Sequence, residues 1–155
     1  NYKGYHGDCA RTWPCGNVKS DRLKLIEVTE QSFFEGLKYA HPGNRLSDIS
    51  HAIEMYAKKF NYGVVRDFTG HGVGSKLHED PAVPNYGKEG MGPVLRKGMT
   101  LAIEPMINMG TYKVKILADG WTTITSDHSP SAHYENSIVI TDNGYEILTK
   151  IKEND

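Results

Sequence analysis

Four side chains of the sequence could together hold a divalent cation. Asp8 follows a glycine, His71 stands between two glycines, and Glu104 and Glu135 border short apolar runs. Hard divalent metals prefer several carboxylates, sometimes with one imidazole, converging from different segments. Two neighbouring ions also need carboxylates that bridge them, because a shared anion offsets the repulsion between the cations. The residue types therefore favour a metal site, provided that the fold brings them together.

Each residue also has a simpler explanation when it is taken alone. An aspartate after glycine is more often a turn residue, and a histidine between glycines is usually a loop residue or a satisfied hydrogen-bond donor. Glu104 is harder to explain in this way, because an unpaired buried carboxylate costs several kcal/mol or is forced to protonate. A metal ligand or a buried ion pair is the better interpretation of Glu104. The glycines at 70, 72 and 74 are interpreted as letting the backbone approach a ligand closely.

The motifs around these residues resemble those of a known family. Residues 70–81 read Gly-His-Gly-Val-Gly-Ser-Lys-Leu-His-Glu-Asp-Pro, which is similar to the Gly-His-Gly-Ile-Gly…His-Glu-x-Pro signature of the pita-bread metallopeptidases. Residues 102–106, Ala-Ile-Glu-Pro-Met, resemble the Thr-Ile-Glu-Pro-Met of type I methionine aminopeptidases. Residues 131–135, Ser-Ala-His-Tyr-Glu, resemble their Ser-Ala-Gln-Tyr-Glu, and residues 4–8 resemble the segment of their second metal-binding aspartate. The similarity extends through the whole chain.

This resemblance implies a role for each candidate residue. Asp8 and Glu135 would bridge two divalent ions (Co, Mn, Fe or Zn), and His71 and Glu104 would bind the first ion. Glu104 would also handle the proton of the attacking water, and His78 would stabilise the tetrahedral intermediate as a hydrogen-bond donor. The implied substrate-binding residues are His78, Leu77 and Trp121. Without the resemblance, Trp121 would be interpreted as a core or turn aromatic residue.

The resemblance also implies an incomplete fold. The expected fold class is α+β, a pita-bread (creatinase/aminopeptidase-like) fold with an antiparallel sheet and two main helices. Residues 1–155 are expected to form a single catalytic domain, truncated at its N-terminus relative to the family. The family's first metal aspartate would precede Asn1, so a second ion is doubtful in this chain. At most one ion is expected to bind well, at His71 and Glu104.

Three residues depart from the family pattern near the expected site. Leu77 stands where phenylalanine is usual, His133 replaces the usual glutamine, and Asn136 replaces the usual histidine. None of these changes removes a ligand. They are expected to alter the pocket or the orientation of neighbouring ligands.

The function that the resemblance implies is removal of the N-terminal methionine from nascent polypeptides, with the ribosome as a further candidate partner. A prolidase or proline-type aminopeptidase of the same fold is an alternative, but Met106 argues against it because those enzymes more often continue Glu-Pro-Gly. A catalytically impaired binding module is another alternative, since one metal aspartate is missing. Retention of the other ligands argues against that interpretation.

Two helices are predicted to support these motifs. The first begins near Ser20 and Asp21 and runs to about residue 39, with one apolar face formed by Leu23, Ile26, Phe33 and Leu37. In the second, apolar residues recur with helical spacing. Asn61 and Gly63 are predicted to end it in a left-handed cap. The stripe of the second helix comprises Ile49, Ile53, Tyr56, Ala57 and Phe60.

Strands are predicted on either side of these helices. Residues 2–13 indicate a strand or hairpin arm that carries Asp8, and Pro105 is expected to interrupt the strand at Glu104. The charged residues 150–155 are predicted to fray. The remaining strand predictions cover residues 64–65, 100–103, 114–117, 122–125, 137–141 and 146–148.

Composition limits the other functional classes. The 18 Lys and Arg residues nearly balance 19 Asp and Glu, which argues against a general nucleic-acid binder. No apolar run approaches the length of a membrane span, which is about 18 residues, and the first residues do not resemble a signal peptide. Cys9 and Cys15 are expected to be free thiols in a reducing compartment, so a cytoplasmic location is expected.

Overall fold

The computed structural model describes residues 1–150, so the predicted fraying of residues 151–155 lies outside the described residues. Two helices, α1 (Ser20–Leu37) and α2 (Leu46–Lys58), separate a short N-terminal strand from a β-rich second half. The strands are β1 (Cys9–Ala10), β2 (Gly63–Val64), β3 (Gly70–Gly72), β4 (Glu79–Val83), β5 (Thr100–Ile103), β6 (Met106–Asn108), β7 (Val114–Ile116), β8 (Thr123–Thr125), β9 (Ser131–His133), β10 (Glu135–Ile140) and β11 (Tyr145–Ile147).

The strands form three antiparallel sheets. The largest has the order β1-β10-β5-β3-β4, with β11 also paired to β10. A second sheet has the order β2-β6-β9, and β7 pairs with β8 in a hairpin. The predicted fold class, α+β with antiparallel sheets and two main helices, is confirmed.

Helix α1 buries Phe33 and Leu37 as predicted, but one residue of the predicted face is exposed. Leu23 is 43% exposed, and the buried positions follow Leu25 and Val28 instead. The prediction was wrong for Leu23 and omitted Leu25 and Val28. Thr29 and Ser32 are also buried, and their hydroxyls donate hydrogen bonds to the carbonyls of Leu25 and Thr29 in the preceding turn (2.8 and 2.7 Å). With their polar groups satisfied, these small residues can face the core.

Helix α2 buries the predicted Ile49, Ile53 and Ala57, together with Leu46. It packs closely on α1, because a Cβ atom at Gly36 would lie 2.8 Å from Cγ1 of Ile53. Beyond the helix, Asn61 adopts the predicted left-handed conformation with a φ of 58°, but Gly63 already begins β2.

The strand predictions failed mainly where glycine, proline or polar residues interrupt the pattern. Strands β3, β4, β6 and β9 had no predicted counterpart. In the segment 2–13, only Cys9 and Ala10 form a strand, and Asp8 lies just before it. Tyr2 and Tyr5 form an isolated antiparallel bridge in that segment. Pro105 separates β5 from β6, as predicted.

The core lies between the helices and the sheets, in two clusters. The first joins both helices to β5 and β10 through residues such as Phe33, Ile53, Ile103 and Ile138. The second joins Leu25 to β6 and β9 through Ile107 and Ala132. This packing fixes the ends of β5 and β10, where Glu104 and Glu135 lie. Cys9 and Cys15 are exposed and unpaired. No described helix is both long and apolar enough to cross a membrane.

Candidate metal centre

Strand pairing brings Asp8, His71, Glu104 and Glu135 to one place. His71 on β3 lies opposite Ala102 on β5, two residues before Glu104. Glu135 is the first residue of β10 and lies opposite Ala10 on β1, close to Asp8. The hydrogen-bonded register of β1, β10, β5 and β3 therefore assembles side chains that are far apart in the sequence.

The imidazole of His71 faces two of the carboxylates. Its Nε2 atom lies 3.7 Å from Oδ2 of Asp8 and 3.7 Å from Oε1 of Glu104. Its Nδ1 atom lies 2.8 Å from the carbonyl oxygen of Gly72, which can only accept a hydrogen bond. Nδ1 must therefore carry a hydrogen, and in the neutral ring the lone pair of Nε2 points toward the carboxylates. Metal-binding histidines are commonly fixed in this way.

Glu135 is the most buried of the carboxylates. It is 4% exposed, and its Oε1 atom has no hydrogen-bond partner within the described part of the chain. Burial, followed by repulsion from Glu104 and Asp8, raises the pKa of Glu135 to about 8. The charge of the nearby Arg11 offsets this only in part. No lysine or arginine side chain within the described residues forms a direct ion pair with the Glu135 carboxylate, so an anionic Glu135 would be stabilised by a bound cation.

His133 is also part of this cluster. Its Nε2 atom lies 3.5 Å from Oε2 of Glu104 and 4.0 Å from Oε2 of Glu135. Sequence reasoning identified His133 only as a departure from the family pattern. Its position follows from the pairing of β9 with β6, where it lies opposite Met106, two residues after Glu104. That pairing was not predicted, because neither strand had been recognised.

The donor atoms fall into two groups that suit a cation. Asp8, His71 and Glu135 each offer one ligand atom within 4.8 Å of the others, and so do Glu104, His133 and Glu135. Three carboxylates and two imidazoles match the mixed oxygen and nitrogen donors of Mn²⁺, Fe²⁺, Co²⁺ or Zn²⁺ sites. Among residues 1–150, Oε1 of Glu135 and Nε2 of His133 have no hydrogen-bond partner, so both atoms are available to bind such an ion. The residues therefore fit a divalent metal.

Hydrogen bonds to the backbone hold the acidic residues in place. The buried hydroxyl of Ser137 accepts a hydrogen bond from the N–H of Asp8 and donates one to its carbonyl, both at 2.9 Å. The guanidinium of Arg11 donates hydrogen bonds to the carbonyl of Glu135 and, at 2.8 Å, to Oδ1 of Asn136. The amide of Asn85 donates to the carbonyl of Glu104 at 3.0 Å. Asn136, a departure from the family pattern, thus supports the backbone beside Glu135.

The glycines around His71 also allow close packing of the neighbouring strands. A Cβ atom at Gly70 would lie 2.3 Å from the carbonyl oxygen of Ala102, and one at Gly72 would lie 2.2 Å from that of Asp80. The close approach that requires these two glycines is therefore between β3 and its neighbouring strands. At Gly74, a Cβ atom would lie 3.0 Å from the carboxylate of Glu79.

A cleft of about 690 Å³ opens beside His71. His78 lines it, and the His78 ring packs edge to face on that of His71 with the centroids 4.4 Å apart. Leu77 is half-exposed next to His78. Trp121 is not brought to this cleft, because it lies in the turn between β7 and β8 and is 88% exposed. The remaining lining residues are Thr69, Gly70, Ser75, Lys76, Glu79, Asp80 and Ala82.

Comparisons with known proteins agree on one family. The model of metallopeptidase family M24 matches residues 1–142. A methionine aminopeptidase of Clostridium perfringens is 56% identical over 149 residues, which cover 96% of this chain and 60% of that protein. Methionine aminopeptidase 1 of Bacillus subtilis is 54% identical over 148 residues, with the same two coverages. The chain thus spans about 60% of the length of these curated relatives.

Solved structures of methionine aminopeptidases and prolidases also match this chain. The crystal structure of a methionine aminopeptidase from Thermotoga maritima matches with a TM-score of 0.94 and 49% identity, covering 97% of this chain and 60% of that one. A prolidase from Pyrococcus horikoshii matches with a TM-score of 0.75 and 26% identity, covering 97% of this chain and 38% of that one.

Proposed function

Because the chain belongs to metallopeptidase family M24, we propose that it is the catalytic part of a metal-dependent aminopeptidase that removes N-terminal methionine. One observation carries this proposal: three carboxylates and the imidazole of His71 converge beside an open cleft, and the buried Oε1 of Glu135 has no hydrogen-bond partner in the described part of the chain. Three buried or half-buried carboxylates repel one another, so such a cluster is a poor structural element without cations. It is a suitable site for metal-assisted hydrolysis.

We propose Asp8, His71, Glu104 and Glu135 as the metal ligands, for Co, Mn, Fe or Zn. Divalent ions bound there would polarise the peptide carbonyl and lower the pKa of a water molecule to near neutrality. The carboxylate of Glu104 would accept the proton of that water. Its two oxygens face different imidazoles, at 3.7 Å from His71 and 3.5 Å from His133, which supports a position at the centre of the site.

His78 is the proposed hydrogen-bond donor to the substrate. Its ring lines the cleft and packs against the ring of His71, so a peptide in the cleft would pass next to it. A donor at this point would stabilise the negative charge that develops on the carbonyl oxygen. Leu77 and Trp121 are proposed to contact the methionine side chain. The exposed indole of Trp121 would reach the substrate only at the rim of such a pocket.

The proposed substrate class, peptides with N-terminal methionine, is supported by the names of the similar relatives described above. Those named methionine aminopeptidase reach 57% identity, whereas the prolidases of Pyrococcus are 25–26% identical. The sequence Glu-Pro-Met at 104–106 agrees with this preference. We propose that residues 1–155 act as one catalytic domain on nascent polypeptides in the cytoplasm, with the ribosome as a candidate partner.

The test compares two peptides and two metal states. The chain is incubated with Met-Ala-Ser and with X-Pro dipeptides, in Mn²⁺ or Co²⁺ and in EDTA. We expect metal-dependent release of methionine, and its loss in the matched Glu104→Gln variant. Preferential cleavage of X-Pro dipeptides would favour a prolidase. No methionine release with either Mn²⁺ or Co²⁺ would contradict the proposal.

A further inference from the structure

We propose that His133 is itself a metal ligand, which gives this chain a second cation site formed by Glu104, His133 and Glu135. The inference rests on the proposed function, because it adds a ligand to the same metal centre. It concerns a residue that the family pattern does not mark as a ligand, since glutamine is usual at that position.

The distances around His133 suit ligands of one cation better than direct hydrogen bonds. Its Nε2 atom is 3.5 Å from Glu104 and 4.0 Å from Glu135, whereas hydrogen bonds of this kind span about 2.7–3.2 Å. Atoms bound at about 2.0–2.2 Å to a common ion lie roughly 3–4 Å apart. The gap between these three side chains therefore has the size that a cation would fill.

Burial supports the same conclusion. Nε2 of His133 and Oε1 of Glu135 are both buried, and among residues 1–150 neither has a hydrogen-bond partner. Buried polar atoms are nearly always satisfied in folded proteins, so two orphaned ligand atoms in one cluster call for an explanation. A bound cation satisfies both of them.

The backbone of His133 is held firmly. Thr12 accepts a hydrogen bond from its N–H and donates one to its carbonyl, both at 2.9 Å. On its other side, His133 pairs with Met106 on β6. The imidazole is thus presented from a fixed strand, as ligand geometry requires.

The two groups use different imidazoles and share Glu135. Asp8 and His71 belong to one group, and Glu104 and His133 belong to the other. The sequence-based expectation of one well-bound ion counted mainly carboxylates for the second position. With His133 included, each ion receives one imidazole, so we expect two ions per chain.

Cadmium NMR tests the ligation directly. The full chain, labelled with ¹⁵N-histidine, is loaded with ¹¹³Cd²⁺, and scalar coupling between cadmium and ring nitrogens is measured. We expect coupling to Nε2 of both His71 and His133. Coupling to His71 alone would overturn the role of His133 while leaving the proposed metal site intact. Coupling to neither histidine would overturn both proposals.

A pair of variants tests the number of ions by calorimetry with Mn²⁺. His133→Gln is expected to retain the ion at His71 and to weaken the second at least about tenfold, because even indirect partners of ligands have effects of that size. His128→Gln removes an exposed imidazole from a loop and should leave both ions unchanged. Unaltered binding of two ions by His133→Gln would overturn the inference.

Discussion

His71 and Glu104 are neighbours in space because β3 and β5 pair with His71 opposite Ala102. This register places Nε2 of His71 3.7 Å from Oε1 of Glu104. The approach of the strands depends on glycine, since a Cβ atom at position 70 or 72 would overlap a backbone carbonyl oxygen. The position of the metal centre thus depends on close backbone contacts that tolerate only glycine at residues 70 and 72.

The substitution Gly72→Ala should destabilise the fold and weaken metal binding. Its Cβ atom would lie 2.2 Å from the backbone oxygen of Asp80, so β3 and β4 must separate. Overpacking of this kind costs about 1–3 kcal/mol. Gly7→Ala is the control, since its Cβ atom would meet only a methyl group of Thr149 at 3.5 Å and should change stability by less than about 0.5 kcal/mol. Urea denaturation and Mn²⁺ calorimetry measure both effects, and equal stability of the two variants would contradict the account.

The metal-free chain should become less stable as the pH rises toward 8. Burial and the neighbouring Glu104 and Asp8 raise the pKa of Glu135 from 4.5 to about 8. Between these values the folded state binds more protons than the unfolded state, so the free energy of unfolding falls as pH increases. Denaturation in EDTA at about pH 5, 6.5 and 8 measures this slope. In Glu135→Gln the slope should flatten, and an identical slope in both proteins would show that another group is responsible.

Arg11 should be important for the stability of the site although it is not a proposed ligand. Its guanidinium donates to the carbonyl of Glu135 and to Asn136, and it lies 4.0 Å from the centre of the Tyr134 ring. Hydrogen bonds that involve a charged group contribute about 1.5–3 kcal/mol each. Arg11→Ala should therefore lower the free energy of unfolding by about 2–3 kcal/mol and weaken Mn²⁺ binding. Arg22→Ala, on the exposed surface of α1, is the control. If both variants behave alike, Arg11 has no such role.

Substitution of Trp121, unlike the changes above, should affect substrate binding and not stability or metal binding. Because its side chain is 88% exposed in a hairpin turn, Trp121→Ala should leave stability and Mn²⁺ affinity unchanged within about 0.5 kcal/mol. Its proposed contact with methionine predicts a higher KM with an unchanged kcat. A large loss of stability would show instead that the indole is a structural residue.

Some helices and strands could be predicted from the sequence, and others could not. The apolar spacing of α2 and the run that forms β5 indicated both elements, because large apolar side chains repeat there. On α1, Phe33 and Leu37 are buried as predicted. The burial of Thr29 and Ser32 was missed, because their hydroxyls bond to backbone carbonyls of the same helix and a hydropathy pattern does not show this. Strand β3 was missed because two of its three residues are glycines, which do not look like strand residues in a sequence. They are required here because side chains at 70 and 72 would overlap the backbone of adjacent strands.

The residues of the metal centre were likewise only partly predictable from the sequence. The residue types and motifs indicated Asp8, His71, Glu104 and Glu135, and the structure brings all four together. His133 could not be assigned in this way. Its approach to Glu104 depends on the pairing of β6 with β9, a non-local contact between two short strands that carry weak individual signals. Trp121 was suggested by the resemblance alone. Its side chain is 88% exposed outside the cleft, and its role in substrate binding stays a prediction.

Anomalous diffraction from crystals soaked in Mn²⁺ tests the central claim most directly. The account predicts strong anomalous peaks among Asp8, His71, Glu104, His133 and Glu135, with Glu135 next to each occupied position. A crystal in which these side chains surround no anomalous peak, while manganese binds elsewhere or not at all, would contradict it.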